Sequence, residues 1–249
     1  MNPKPMNNSY DFNDQTVIVT GAGRGIGLEV SRGFAQMGAH VYMVDIDADV
    51  VEAAAKEAGG TAAVADVSSS DDVERVVAEA IEETGRIDAV FNNAGLLRDK
   101  VLWKLSDEDW DVVVDVSLGG TFKFTRACVP HMRERGYGRF VNVTSYTGLR
   151  GNVGQAAYAA AKAGVIGFTK TAAKELGRFG ITSNVISPNA KTRMVESIPD
   201  EHKAELERQI PLGRFGETEE MVGAVLFLAS RDAGYITGAV LQVDGGISL

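Results

Sequence analysis

Short apolar runs alternate with longer amphipathic stretches along the chain from Gln15 onward. The runs have the length of strands and are rich in β-branched residues, whereas the stretches between them repeat apolar residues at helical spacing. We predict strands at 16–20, 40–44, 61–65, 88–91, 139–143, 181–187 and 240–243. Helices are predicted at 25–37, in a stretch ending at 58, at 71–84, from Ser106, at 156–178 and at 218–230. Apolar strands that alternate with helices indicate an α/β fold, a doubly wound parallel sheet of seven strands with helices on both faces.

No linker, internal repeat or low-complexity segment divides the chain, so we predict a single domain over residues 14–249. Residues 1–13 are polar, contain two prolines and are predicted to form a flexible N-terminal tail. The least regular segment, 189–216, follows the sixth predicted strand, at the edge where doubly wound sheets bind ligands. We expect this segment to be a lid over the substrate.

The composition is that of an ordinary globular protein, with 45% hydrophobic and 24% charged residues. A formal net charge of -9 disfavours binding to nucleic acid or to an anionic membrane, because both are negatively charged. No stretch reaches the ~20 consecutive apolar residues of a membrane span. The chain has one cysteine, Cys128, which we expect to be a small buried hydrophobe. These features predict a cytoplasmic protein with no metal site.

A glycine-rich turn, T-G-A-G-R-G-I-G over residues 20–27, joins the first predicted strand to the first helix. Glycines let backbone N–H groups approach a pyrophosphate closely, and the helix N-terminus adds partial positive charge. The strand–turn–helix context therefore predicts a dinucleotide site. The residues of the turn that we assign to this site are Gly21, Arg24, Gly25, Ile26 and Gly27.

Asp45, at the end of the second predicted strand, indicates which dinucleotide is preferred. A carboxylate there can accept hydrogen bonds from both ribose hydroxyls of NAD, and it repels the 2′-phosphate of NADP. Arg24 argues the other way, since a guanidinium can pair with that phosphate. The carboxylate is the more direct conflict, so we predict NAD in preference to NADP.

Tyr158 and Lys162 lie one helical turn apart in the sequence Y-A-A-A-K. An unperturbed phenol titrates near pH 10, and an adjacent ammonium is expected to lower that pKa. Ser145 follows the fifth predicted strand, where its hydroxyl can hydrogen-bond a substrate oxygen on which charge develops. Together with the dinucleotide turn, these residues predict proton transfer at a secondary alcohol or ketone, coupled to hydride transfer by the cofactor.

With these motifs in place, the chain from Asp14 to about Gly246 resembles the short-chain dehydrogenase/reductase family. The turn at 20–27 matches the family's phosphate loop, and N-N-A-G at 92–95 matches its motif beside the adenosine ribose. The D-V pair at 66–67 matches its adenine contact. The cofactor residues implied by these last two motifs are Asp66, Val67, Asn93, Ala94 and Gly95.

The resemblance implies a Rossmann-type oxidoreductase of the EC 1.1.1 type in which Tyr158 is the acid/base. It also implies that Lys162 binds the nicotinamide ribose and that Ser145 orients the substrate. Within the family, the chain looks most like 3-oxoacyl-carrier-protein reductases and the related secondary-alcohol dehydrogenases. Because such proteins are commonly homotetramers, the resemblance implies the same assembly here.

Two positions depart from the family pattern. The family usually has an Asn in the long fourth helix that holds a water linking the Lys to solvent, and Ser117 stands there. We assign Ser117 as a relay member in this proton route. The family's Pro-Gly after the sixth strand is Pro188-Asn189, and Asn tolerates left-handed backbone, so we expect the turn to survive. Thr192 resembles the Thr that bonds the nicotinamide carboxamide. Pro188 and Thr192 are assigned to the cofactor site.

Three functions stay open on the sequence alone. The first is an NAD-dependent dehydrogenase or ketoreductase acting on a small-molecule secondary alcohol or ketone. The second is an NADP-dependent reductase of 3-oxoacyl thioesters of a carrier protein or CoA, which Asp45 and the acidic composition disfavour because carrier proteins are themselves acidic. The third is a nucleotide-binding protein without turnover, which the intact Ser145, Tyr158 and Lys162 disfavour.

Overall fold

Seven strands form one parallel sheet in the computed structural model, which describes residues 10–192, 195 and 200–249. In chain order they are β1 (Thr16–Thr20), β2 (His40–Asp45), β3 (Thr61–Val64), β4 (Ala89–Asn92), β5 (Gly138–Val143), β6 (Ile181–Pro188) and β7 (Val240–Val243). Their order across the sheet is β3-β2-β1-β4-β5-β6-β7. The winding direction changes between β1 and β4, which confirms the doubly wound sheet predicted from the apolar runs.

Helices cover both faces of this sheet. They are α1 (Gly25–Gln36), α2 (Ala48–Ala58), α3 (Ser70–Thr84), α4 (Asp107–Val114), α5 (Gly120–Arg135), α6 (Tyr146–Arg150), α7 (Ala156–Leu176), α8 (Asp200–Gln209) and α9 (Val222–Ala229). Side-chain caps begin four of them: Asp47 on α2, Ser69 on α3, Ser106 on α4 and Ser145 on α6. Each cap satisfies a backbone N–H that the first turn leaves unpaired.

The core lies in two layers, one on each face of the sheet. Along β1, Val17 and Val19 face the layer formed with α1, α2 and α9, whereas Ile18 faces the layer formed with α3, α5 and α7. This alternation follows from the two-residue period of a strand. Cys128 of α5 is buried in the second layer, and burial raises the pKa of its thiol. The expectation of a small buried hydrophobe is confirmed.

The predicted N-terminal tail of residues 1–13 is wrong at its C-terminal end. Phe12 is fully buried, and its ring meets that of Phe34 edge-to-face with 5.0 Å between the ring centroids. Its N–H donates to the Met37 carbonyl at 3.0 Å. An aromatic ring in a polar segment therefore anchors the chain before β1. Residues 1–9 lie outside the described residues.

The long helix predicted from Ser106 is interrupted. Ser106 caps α4 as expected, accepting from the Asp109 N–H at 3.2 Å and donating to the Asp109 carboxylate at 2.9 Å. A π-helical turn, Asp115–Gly119, then separates α4 from α5. Such a wider turn bulges the helix, a distortion that occurs frequently at functional sites. The apolar pattern carries no sign of it.

Two further findings concern the described part of the chain. None of its helices is both long and apolar enough to cross a membrane. In the same ranges, no group of three or more His, Cys, Asp or Glu residues is placed to hold a metal ion.

Candidate active site

Ser145, Tyr158 and Lys162 meet where β5 ends, although two helices hold them. Ser145 caps the first turn of α6, and the other two lie on α7. The Thr144 hydroxyl donates to the Lys162 carbonyl at 2.7 Å and so fixes α7 to the end of β5. α6 packs closely on α7 because residue 148 is glycine: a Cβ on Gly148 would lie only 2.8 Å from the Lys162 Cβ. The structure thus brings together the three residues that the sequence separates.

Tyr158 is a neutral phenol across the neutral pH range. Burial raises the pKa of Tyr158 to about 12, a hydrogen bond with Ser145 lowers it, and the charge of Asp99 raises it. We expected the Lys162 ammonium to bring the pKa of Tyr158 below that of a free phenol. That expectation is wrong, because the effects that raise this pKa outweigh those that lower it. Burial is the larger effect, because it removes the water that would stabilise a phenolate.

Lys162 is also buried, with 2% of its surface exposed. Its Nζ donates to the Val143 carbonyl at 2.9 Å and lies 5.6 Å from the centre of the Tyr158 ring. Burial lowers the pKa of Lys162 to about 8, because the charged ammonium loses water in the interior. The Lys162 side chain can therefore gain or lose a proton close to neutral pH.

Ser117 lies in the π-helical turn and is buried, and its Oγ has no hydrogen-bond partner. A Cβ on Gly95 would lie 3.3 Å from both the Ser117 Oγ and the Lys162 Nζ. The two polar atoms therefore flank the same point of the backbone, and only a glycine leaves the space between them open. An unpaired buried hydroxyl is rare enough to need an explanation.

The glycine-rich turn leads into α1, whose N-terminus carries no side-chain cap. α1 also has no acidic residue in its first turn, unlike the three helices that begin at Asp47, Ser69 and Ser106. Gly25 has a positive φ of 56°, and a Cβ there would meet only Thr192, at 3.8 Å. The open cradle and the uncapped helix N-terminus fit the pyrophosphate of a dinucleotide.

Asn93 braces this turn from the end of β4. Its Nδ2 donates to the Thr20 and Gly21 carbonyls at 3.0 and 3.1 Å. The Thr20 Oγ1 in turn accepts from the N–H groups of Asn93 and Ala94, both at 3.0 Å. Sequence reasoning did not single out Thr20, although it opens the loop motif. Asn93 and Thr20 together tie the phosphate turn to the strand that ends beside the catalytic residues.

Asp45 stands beside the turn, at the end of β2. Its Oδ2 accepts from the Gly23 N–H at 3.0 Å. Arg24 is turned instead to Asp47, with 3.0 Å between Nη2 and Oδ2. Asp47 also caps α2, as expected of a residue in this position. The acidic side chain is therefore fixed next to the cradle, while the basic one already has a partner.

Asp66, Val67 and Pro188 are assigned to the cofactor site but lie outside the glycine-rich turn. Asp66 accepts from the Ser68 N–H at 2.8 Å, and Val67 is buried against Gly120. Pro188 ends β6. Its neighbour Asn189 is not left-handed, since Asp14 is the only described non-glycine residue with a positive φ. The turn after β6 therefore needs no special backbone, contrary to the expectation.

The predicted lid, 189–216, contains the helix α8, and its two ends meet. The Lys191 N–H donates to the Gly216 carbonyl at 2.8 Å, and the Gly216 N–H donates to the Asn189 carbonyl at 3.1 Å. The first and last residues of the segment therefore lie side by side, next to the end of β6. Residues 193, 194 and 196–199 lie outside the described residues.

Comparisons with known proteins agree with this geometry. A family model described as enoyl-(acyl carrier protein) reductase matches residues 21–248. The chain is 43% identical over 236 residues to a 3-oxoacyl-(acyl-carrier-protein) reductase of Thermotoga maritima, covering 92% of this chain and 96% of the relative. It is 41% identical over 242 residues to a hydroxy(phenyl)methylsuccinyl-CoA dehydrogenase subunit of Thauera aromatica, covering 95% and 97%. The crystal structure of levodione reductase is 37% identical, with a TM-score of 0.92 over 95% of this chain and 98% of that one.

The phosphate turn, the Ser–Tyr–Lys arrangement and these relatives define one class of protein. The chain belongs to the short-chain dehydrogenase/reductase family. It is accordingly an oxidoreductase that uses a nicotinamide dinucleotide, NAD or NADP.

Proposed function

We propose that the protein interconverts a 3-oxoacyl thioester and its 3-hydroxyacyl thioester, with NAD(H) as the hydride carrier. The observation that carries the chemistry is the Tyr158 phenol, hydrogen-bonded to Ser145 beside the buried Lys162. The substrate class is supported by the names of two relatives above 40% identity, one acting on a 3-oxoacyl carrier protein and one on a hydroxyacyl-CoA. The sequence alone had favoured a small secondary alcohol or ketone over such a thioester.

In this proposal Tyr158 is the acid/base and donates its proton to the substrate oxygen during reduction. Ser145 holds that oxygen, and Lys162 binds the nicotinamide ribose and carries the replacement proton. When bound, the nicotinamide supplies the hydride for reduction or accepts it for oxidation. Because the pKa of Tyr158 is about 12, the phenol is protonated, as reduction requires, throughout the neutral range. Oxidation needs the phenolate, so its rate should rise with pH until that pKa is reached.

The dinucleotide is held by four groups of residues in this proposal. The turn and the α1 N-terminus receive the pyrophosphate, Asp45 the adenosine ribose, and Asp66 with Val67 the adenine. Gly95, Pro188 and Thr192 lie along the nicotinamide end. Asn93 and Ala94 act by bracing the turn, since their bonds go to Thr20 and Gly21.

Asp45→Asn is expected to reduce the preference for NAD. The amide oxygen can still accept from the Gly23 N–H, but the negative charge that repels a 2′-phosphate is gone. We expect kcat/KM with NADPH, relative to NADH, to rise about 10–100-fold, or about 1.4–2.8 kcal/mol. Steady-state assays with both cofactors measure this ratio.

Asp49→Asn is the matched control, because it removes an exposed carboxylate from the first turn of α2 and leaves Asp45 and the Arg24–Asp47 ion pair intact. It should change the ratio much less. A wild-type protein that already works as well with NADPH as with NADH would refute the preference.

Ser117 is proposed to hold a water between Lys162 and solvent, which explains its unpaired hydroxyl. Ser117→Ala should therefore slow turnover about tenfold. It should not lower the melting temperature, because it removes a buried polar group that has no protein partner. Thermal melts and initial rates on the same preparation measure both quantities.

Ser183→Ala provides the comparison for this relay. Ser183 lies on β6 and is also buried with an unpaired Oγ. We expect a similar effect on stability and no effect on rate. Equal rates for wild type and Ser117→Ala would remove Ser117 from the proton route.

The net negative charge of the chain does not exclude a substrate that is attached to an acidic carrier protein. Arg133 and Arg178 both lie over the Phe179 ring, with guanidinium carbons 4.3 and 4.7 Å from its centroid. Lys174 lines the same groove beside α5 and α7. A protein with a net charge of -9 can therefore present a local basic surface, and local charge governs docking.

A second candidate is reduction of a simple ketone, which the likeness to levodione reductase favours. A panel of a 3-oxoacyl-CoA, the same acyl group on a carrier protein, and small cyclic and linear ketones separates the two. We expect kcat/KM for a thioester to exceed that for each free ketone by at least about tenfold. Faster turnover of a free ketone would favour the second candidate.

The assembly and setting are proposed from surface features. Phe122 of α5 is 42% exposed and meets Phe168 of α7 edge-to-face, with 6.3 Å between the ring centroids. An exposed aromatic pair on two long helices is suited to self-association, and we propose a homotetramer, which light scattering tests.

A single free, buried cysteine suits the reducing cytoplasm. We further propose one catalytic domain over 14–249, with 189–216 as its substrate lid.

A further inference from the structure

A network of side-chain hydrogen bonds joins the loop after β4 to the segments that hold Ser145 and Tyr158. Gln155 lies at its centre, directly before α7 and three residues before Tyr158. Its Nε2 donates to the Asp99 Oδ2 at 2.9 Å. Its Oε1 accepts from the Thr147 Oγ1 at 2.8 Å and from the Asn152 Nδ2 at 3.0 Å. One amide therefore binds the β4 loop, α6 and the α6–α7 connection.

Backbone contacts run alongside this network. The Lys100 N–H donates to the Gly154 carbonyl at 2.8 Å, next to a parallel bridge between Lys100 and Gln155. On the other side, the Thr147 N–H donates to the Ser145 Oγ at 3.2 Å. Thr147 is thus bonded through its side chain to Gln155 and through its backbone to Ser145. A displacement of Gln155 would move both catalytic hydroxyls.

The direction of every bond in the network follows from Asp99. An ionised carboxylate only accepts, so the Gln155 group facing it must be the NH₂. The Gln155 oxygen then faces Thr147 and Asn152, each of which has a donor to offer. A neutral residue at 99 could donate or accept, so only the donors of Thr147 and Asn152 would then hold the amide at 155 in this orientation.

The charge of Asp99 also acts on Tyr158 directly. Among the described residues, the charged groups that face Tyr158 are the Lys162 ammonium, from the same helix, and the Asp99 carboxylate, from the β4 loop. Ser145 contributes a neutral hydrogen bond from the start of α6. A carboxylate opposes formation of a phenolate near it, and its effect is screened by salt because Asp99 is exposed.

We propose that Asp99 and Gln155 are positioning residues for the reaction: their hydrogen bond fixes Ser145 and Tyr158 relative to each other, and the Asp99 carboxylate adds to the effect of burial in opposing a phenolate at Tyr158. Neither residue is assigned a contact with the reacting atoms. The proposal rests on the assignment of Tyr158 as acid/base, which is part of the proposed function. It does not depend on the thioester, because the proton is exchanged with the oxygen of any alcohol or ketone.

Asp99→Asn tests the charge. The variant keeps an acceptor for Gln155 but loses the carboxylate, so the rate of oxidation at a fixed pH between about 7 and 9 should rise about threefold in about 0.01 M salt, because the phenolate forms more readily. In about 1 M salt, where the Debye length is about 3 Å, the wild-type and variant profiles should converge. Asp111→Asn, on the exposed surface of α4, is the matched loss of an acidic residue and should leave the profile unchanged.

An exchange of the two side chains tests the hydrogen bond. Gln155→Glu places two carboxylates against each other and should lower kcat about 10-fold or more with little change in the KM for the cofactor. Adding Asp99→Asn restores one donor facing one acceptor, and the carboxylate introduced at position 155 still accepts from Thr147 and Asn152. The double variant should recover kcat to within about threefold of wild type, a coupling that independent sites do not show.

The profiles are recorded with whichever alcohol and ketone the wild-type protein turns over fastest, so a wrong substrate class leaves the test intact. If Tyr158→Phe keeps its activity, the acid/base assignment fails and this proposal fails with it. If Tyr158→Phe is inactive but the Asp99→Asn profile matches wild type in low salt, the charge effect is absent and the proposal is overturned. A double variant no faster than Gln155→Glu would overturn the positioning claim.

Discussion

Tyr158→Phe is expected to lower turnover by about 10²–10⁴-fold, the usual contribution of a positioned general acid or base. The substitution removes one hydroxyl from a partly buried ring and leaves the packing of α7 intact. The phosphate turn, Asp45 and the α1 N-terminus are untouched, so the dissociation constant for NADH should change by no more than about twofold. Initial rates and fluorescence titration of the reduced cofactor measure the two quantities.

Tyr235→Phe is the control for this loss, since Tyr235 is fully exposed. It should retain wild-type turnover. A near-normal rate in Tyr158→Phe would show that another group moves the proton. Loss of NADH binding together with activity would mean instead that Tyr158 serves mainly to hold the cofactor.

Gly27→Ala is expected to abolish measurable NADH binding. A Cβ on Gly27 would overlap the Gly21 carbonyl oxygen and approach the Asn93 Nδ2 to 2.9 Å. The Gly21 carbonyl is backbone and cannot swing aside as a flexible side chain could, so the turn must open and its bonds to Asn93 must lengthen. We expect the free energy of unfolding to fall by about 1–3 kcal/mol, as overpacking usually costs, and activity to be lost with binding.

Gly223→Ala is the matched control, because a Cβ on this exposed helical glycine meets nothing within 4 Å. Alanine is the better helix former, so stability should rise by up to about 1 kcal/mol, with unchanged NADH affinity. Calorimetric titration and thermal melts compare the two variants. Retention of NADH binding by Gly27→Ala would contradict the close-packed turn.

The sheet was predictable from sequence because its signal is local. β1 and β4 are buried along their length and read as short, mostly apolar runs, and the glycine turn follows β1 immediately. The grouping of Ser145, Tyr158 and Lys162 came from motif spacing rather than from periodicity. Most helix ends differ from the prediction by no more than two residues. The helix predicted at 218–230 begins with a 3₁₀ turn, Thr218–Met221, and is α-helical only over Val222–Ala229.

What could not be predicted depends on contacts between distant segments. Phe12 lies in a polar stretch and is buried only because α1 presents Phe34 to it. The π-helical turn Asp115–Gly119 separates α4 from α5, although the stretch contains no proline that would indicate a break. The pKa of Tyr158 followed the burial of the site rather than the nearness of Lys162, and burial cannot be read from a one-turn spacing.

The network around Gln155 is invisible to the sequence for the same reason. Asp99 and Gln155 are 56 positions apart, and no motif links them. Their contact exists because the β4 loop and the α6–α7 connection meet at one edge of the sheet. The sequence therefore predicted the groups that we assign to the chemistry, and the structure adds the hydrogen bonds around them.

The central claim is that this site transfers hydride from NADH to the 3-oxo carbon of an acyl thioester while Tyr158 protonates the oxygen. The most direct test is to incubate the wild-type protein with a 3-oxoacyl-CoA and NADH that carries deuterium at its transferable position, and to analyse the product by mass spectrometry. We predict a 3-hydroxyacyl-CoA with a single deuterium on carbon 3, and no such product from Tyr158→Phe in the same time. Unchanged 3-oxoacyl-CoA, or deuterium found elsewhere in the product, would contradict the account.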